Sequence, residues 1–327
     1  MTYDHEISCL PIHKSMKSSS TRLAVLPRLT APVYAPLRRW VLRVIATQQQ
    51  GVDYDTPLDD PGLFGPDSIT WRLHADFPGM MAGGICALML QTLHPRALAG
   101  VWDHSDFRRD TLGRLRSTTA FVAATTYAPN GEAQRLIDRV NMIHRRIHGE
   151  TADGRAYSAQ DSDLLIWVHC TEMWSFVQGY QRYRGITLPE AVLDRYFDET
   201  RRIAEALGAR NVPGSNVEVE DYFRSVQPQL EFNERTAEVL DVLAHIRLPI
   251  PVAGLARKTF LGAGAALLPP WARGLLRRNR VQRLRDLAAA RSLRTLAPLF
   301  RAALRNGVAA RSCRRVGIAP ETLDNWR

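Results

Sequence analysis

The chain has 327 residues, 45% apolar and 23% charged, a balance that excludes a disordered polymer, a collagen-like fibre and a small disulfide-stapled scaffold. Its four cysteines (Cys9, Cys86, Cys170, Cys313) are too scattered to form a CxxC knuckle, which removes a zinc ribbon. The net charge of +10 is uneven: residues 273–327 carry 14 arginines against Asp286, Glu321 and Asp324, and the rest of the chain is close to neutral.

Residues 1–59 read as an N-terminal arm with one short helix near Leu37 to Gln49. Asp59-Asp60-Pro61-Gly62 and Phe64-Gly65-Pro66-Asp67 are turn signals that open the main body. From there the apolar period is helical almost throughout. It predicts helices near 69–76, 79–100, 108–127, 132–148, 159–183, 188–207, 217–225, 230–245, 252–268 and 271–306, with almost no two-residue alternation. The fold class is all-α, a single bundle-like domain: a catalytic body over 60–250, with basic helices over 251–327 packed on it. Ser158-Ala-Gln-Asp161 resembles a capping box opening the helix that contains Leu164 to Phe176. No stretch reaches the roughly 20 apolar residues of a spanning helix, and the N-terminus lacks a secretion signal. The expected location is cytoplasmic, with scope for peripheral membrane contact through the basic C-terminus.

The placement of the histidines carries the functional argument. Ala133, Ile137, Val140, His144 and Ile147 fall on one helical stripe. An imidazole there is either a core histidine bonded to a carbonyl or a ligand to a metal or haem iron. On the preceding helix Arg114, Thr118, Phe121, Val122 and Thr125 share a face, putting a guanidinium and a hydroxyl on an apolar wall; that is either a polar pocket or an ordinary helix-end arginine. His94 precedes Pro95 at a helix break. His169 lies one turn before Glu172, as an oriented pair or a buried hydrogen bond. Gly83 and Gly84 interrupt an apolar helix at about 1 kcal/mol each, which suggests either tight helix packing or the approach of a flat ligand. The chain lacks GxGxxG, a P-loop, GxSxG, HExxH and CxxCH, so any haem is held non-covalently.

Six segments occur in order: Asp60-Pro-Gly-Leu-Phe-Gly-Pro-Asp-Ser68, Thr70-Trp-Arg, Gln91-Thr-Leu-His-Pro95, Arg114-Leu-Arg-Ser-Thr118, Arg139-Val-Asn-Met-Ile-His144 and Leu164-Leu-Ile-Trp-Val-His169. Together they resemble the DUF2236 family, the catalytic domain shared by rubber oxygenases and mycophenolic-acid-pathway oxygenases, over about residues 60–250. The resemblance implies an all-α fold with an internal pocket for haem b, and an oxygenase or oxidase acting with dioxygen on a small, fairly apolar molecule. It places the proximal iron ligand at His144 and oxygen-stabilising groups at Arg114 and Thr118. Arg139, His94, His169, Gly83 and Gly84 are the further expected cofactor contacts. Rubber oxygenases carry a lysine where Ser117 stands here, so the resemblance implies water-bound or five-coordinate iron and argues against polyisoprene as substrate.

The competing reading is a non-enzymatic helical protein that binds nucleic acid or an anionic membrane through its arginine-rich end. Cys313 to Trp326 faintly resembles half of a helix-turn-helix, with Gly317 at the turn. No nucleic-acid partner is expected on the oxygenase reading.

Overall fold

The computed structural model describes residues 35–45 and 51–326; the rest of the predicted N-terminal arm lies outside the described residues. The chain runs through α1 (Ala35–Ile45), α2 (Ile69–His74), α3 (Phe77–Gln91), α4 (Pro95–His104), α5 (Thr111–Tyr127) and α6 (Asn130–His144). A small hairpin, β1 (His148–Glu150) and β2 (Ala156–Ser158), leads into α7 (Ser162–Arg184). There follow α8 (Glu190–Ala206), α9 (Asn216–Val226), α10 (Glu234–Ala244), α11 (Ala253–Ala265), α12 (Pro270–Leu275), α13 (Arg280–Ala303) and α14 (Val308–Arg315). The fold is all-α apart from that antiparallel hairpin, in which Gly149 faces Tyr157. Among the described residues no helix is long and apolar enough to cross a membrane.

The spine of the molecule is α3 against α7. The two helices approach closely because small residues line the seam: a Cβ at Gly83 would stand 2.6 Å from the Ser175 carbonyl oxygen, and one at Gly179 would strike the Gly79 carbonyl. At the crossing of α11 and α3, a Cβ at Gly264 would meet Ile85; at that of α11 and α13, one at Gly262 would meet Ala289. The largest cluster of buried residues surrounds this stack, with Trp167, Phe176, Tyr180, Tyr183 and Tyr196 among its members. A second cluster joins α2, α5, α6 and α14 through Trp71, Tyr127, Leu136 and Cys313.

Several boundaries differ from the sequence reading. The helix expected over 79–100 is two helices. His94 is extended at φ −92° and ψ 111°, as the residue before a proline prefers, and Pro95 starts α4 in the first turn, where its missing N–H costs nothing. The helix expected over 271–306 is divided into α12 and α13, with Arg277 at φ 52° between them. Ser158 does not cap α7. The N-cap is Asp161, whose carboxylate instead accepts from the Ser158 N–H at 2.9 Å and pairs with Arg96 at 2.5 Å. The β1–β2 hairpin escaped prediction because three-residue strands are too short to show a period.

The C-terminal segment departs from a helix-turn-helix. Gly317 takes a left-handed φ of 71°, but Pro320–Asp324 is a 3-10 turn. Beyond it the Trp326 indole donates to the Tyr180 hydroxyl at 2.9 Å. No recognition helix stands free there. Several of the basic residues serve the fold itself. Arg315, buried, donates to the carbonyls of Tyr54, Asp60 and Tyr127 at 2.7–2.9 Å, and Arg278 pairs with Asp286 at 2.6 Å.

Candidate functional site

The hairpin of α5 and α6 carries four of the eight expected site residues, Arg114, Thr118, Arg139 and His144. Asp110 caps α5 by accepting from the Gly113 N–H at 2.8 Å. After Tyr127 the chain leaves the helix at Ala128, whose ψ of 159° is extended, and Pro129 starts α6. The link is two residues long and the two helices are in contact. Arg114 and His144 are each about 20 Å along their helices from the link, at 1.5 Å per residue.

The predicted stripe runs on to Ile147, but α6 ends at His144, so Ile147 lies beyond the helix. Ala133 and Ile137 are buried, while Val140 and His144 are half-buried. The His144 Nδ1 is shielded from solvent and has no hydrogen-bond partner. Burial holds the ring's pKa below the ordinary histidine value, so the imidazole is neutral at physiological pH.

Facing residues on α5 grade from open to closed. Arg114 and Thr118 are exposed, Phe121 and Val122 half-buried, and Thr125 buried. The polar pair therefore opens onto solvent rather than lying in the interior, because the first turns of α5 border a cleft of about 510 Å³. Arg114 and Ser117 line that cleft together with His104, Ser105, Asp106 and Asp110. The Arg114 Nη1 donates to the Ser105 hydroxyl at 2.8 Å. The surrounding protein lowers the Arg114 pKa by desolvation, yet a guanidinium stays cationic. Thr118 spends its proton on the Arg114 carbonyl at 3.2 Å.

On α7, His169 is buried and its pKa is pushed down to about 4 by desolvation. Glu172, one turn later, is pushed up to about 7 by the same cause. Phe176 continues this face and meets the His74 ring edge-on, with centroids 5.3 Å apart.

His74 was not singled out from the sequence. The Thr126 hydroxyl donates to the Val122 carbonyl at 2.7 Å, so at 2.8 Å from His74 Nδ1 it accepts. His74 therefore carries its proton on Nδ1, and Nε2 accepts from the Tyr196 hydroxyl at 2.8 Å. This chain ties α8 to α2 and α5. Glu199 was also missed: its carboxylate accepts from the Ile69 and Thr70 N–H groups and the Thr70 hydroxyl, at 2.8–3.2 Å. Apart from Arg195, one turn before Glu199 and 2.9 Å from its carboxylate, these partners lie 52 to 130 residues away, so no local pattern marked the contacts with α2.

The remaining expected contacts sit elsewhere. His94 caps α4, its Nδ1 accepting from the Ala97 N–H at 3.4 Å, with its ring 5.9 Å from that of Trp167. Gly83 serves the α3–α7 crossing, as the tight-packing alternative has it, whereas a Cβ at Gly84 would meet only Phe176 at 3.8 Å. Arg139 is exposed on α6. Thus Arg114 and Thr118 stand on α5 and Arg139 and His144 on α6 of one helical hairpin, His169 belongs to α7, and His94 and Gly83 have structural duties. Among the described residues no group of three or more His, Cys, Asp or Glu could hold a bare metal ion.

A family model described as "ER-bound oxygenase mpaB/B'/Rubber oxygenase, catalytic domain" matches residues 71–305, from α2 past residue 250 to just beyond the end of α13. No curated protein and no solved structure matches the chain.

Proposed function

The chain belongs to the mpaB/rubber oxygenase catalytic-domain family and carries an oxygenase domain, and we propose that it uses haem b to act with dioxygen on a small, fairly apolar organic molecule. The observation that carries this reading is His144. A porphyrin brings four nitrogens of its own, so one imidazole is enough to attach its iron. A neutral ring with a shielded, partnerless nitrogen fits that role, and fits poorly with a histidine retained only for packing, because an unpaired buried polar atom costs about 1–3 kcal/mol. When bound, the group would supply dioxygen binding and one-electron chemistry.

The chain's own residues do the rest. Arg114 has one N–H committed to Ser105 and others available to a polar or anionic group in the cleft. With its proton engaged on its own helix, Thr118 offers oxygen lone pairs as an acceptor. Arg114 and Arg139 would be the hairpin residues to hold the carboxylates of a haem. Glu172, with its pKa near neutrality, can hold or release a proton at its carboxyl group, and neutral His169 lies one turn away on the same face.

The test is the visible spectrum of protein purified after expression with ample haem. The wild type is expected to show a Soret band, and His144→Ala to lose it. Substituting the exposed His148 should leave the band intact. A full haem complement in folded His144→Ala would overturn the assignment.

A further inference from the structure

The outer surface of α13 and the start of α11 form a face that nothing in the oxygenase reading uses. Leu284 on α13 and Leu255 on α11 are each 67% exposed, and Val252, Val281 and Leu299 are also exposed. At 100° per residue, Val281, Leu284, Ala288, Thr295 and Leu299 share one side of α13. Because α11 meets α13 at Gly262 with Ala289 and, earlier along α11, at Phe260 with Phe300 further along α13, the two helices run antiparallel, and Leu255, two turns before Gly262, lies toward the Leu296 and Leu299 end of α13. Arg280, Arg283, Arg285, Arg291 and Arg294 flank or interrupt this stripe, and all are exposed. Among the described residues none of them has an acidic partner; the sole acid of α13, Asp286, is buried beneath Arg278.

We propose that this face docks on an anionic lipid bilayer. Aliphatic side chains within a ring of arginines match the layered chemistry of a membrane surface: the apolar groups enter the acyl boundary while the guanidiniums reach the phosphates. Charge decides against the other occupants. A second copy would oppose arginine to arginine, and the undescribed residues 1–34 contain more basic than acidic side chains. Exposed leucine and valine at the centre of the face suit lipid better than nucleic acid. The inference stands apart from the haem assignment.

Flotation of the full-length chain with vesicles tests it. Binding is expected to phosphatidylcholine vesicles containing phosphatidylglycerol, not to phosphatidylcholine alone, and is expected to weaken as salt is raised. Leu255→Gln with Leu284→Gln should abolish flotation. Arg285→Gln with Arg291→Gln should lower partitioning by roughly fivefold per arginine. Far-UV circular dichroism checks that the variants, altered only at exposed positions, remain folded. Any of four results would overturn the proposal: no flotation of the wild type on anionic vesicles, flotation unchanged in both variants, a dimer that Leu284→Gln converts to monomer, or flotation only after deletion of residues 1–34.

Discussion

Arg301, in the last turn of α13, donates from Nε to Oδ1 of Asp76 at 2.5 Å across 225 residues of sequence. Asp76 is fully buried. The same Oδ1 accepts from Arg184 Nε at 2.9 Å, and Oδ2 caps α3 by accepting from the Gly79 N–H at 3.0 Å. One carboxylate thus fastens the start of α3 to the ends of α7 and α13, and with them the scaffold beneath the site. Asp76→Asn would leave two guanidiniums facing a neutral amide. The expected loss is about 3 kcal/mol, the lower end for a broken buried pair because both arginines keep some contact with water. Urea midpoints measure it. Arg184→Gln and Arg301→Gln should each cost less, and the double variant less than their sum, since they share one acceptor.

The two adjacent glycines of α3 should behave oppositely. Gly83→Ala forces a methyl against the Ser175 carbonyl and the Phe176 backbone, and rigid overpacking of this kind costs about 1–3 kcal/mol. Gly84→Ala meets one ring atom at ordinary contact distance and gains helix propensity, so it should be neutral or stabilising by up to about 1 kcal/mol. Thermal melts of the two variants decide the matter. Equal effects would show that the α3–α7 seam does not depend on Gly83.

Acidification should destabilise the fold through His74 and His94. Burial depresses their pKa values from 6.5 to about 3 and about 4. The unfolded chain therefore takes up protons first as pH falls. Their stabilisation is complete above pH 6.5 and drains away towards pH 4, by up to about 1.4 kcal/mol per pH unit for each ring. Glu172 acts in the opposite sense: its raised pKa favours the folded state as pH falls from 7 to its ordinary 4.5. Urea melts across pH 4–7 are expected to show a slope that flattens in His74→Gln and steepens in Glu172→Gln.

How much was legible beforehand varied with how local the cause was. The all-α class, the α5–α6 pair and the apolar stripe through Ala133 and Ile137 could be read directly, though not its end at His144, because a helix is built from bonds four residues apart and its buried face repeats on the same scale. His94 also announced a break through Pro95, but its role as a cap depends on a donor three residues on. That detail needed coordinates, as did the choice between packing and ligand contact for Gly83.

What the sequence determined alone was where the chain becomes helical, which side of each helix is apolar, and through six ordered segments which oxygenase family it belongs to. Tertiary structure decided the partners: Asp76 for Arg301, Tyr196 and Thr126 for His74, Glu199 for the start of α2, and open cleft rather than core for Arg114. Those choices depend on which surfaces meet once the helices stack. The free energy of burying a polar group is fixed by the donor or acceptor waiting across that contact, and its place in the chain leaves no local trace.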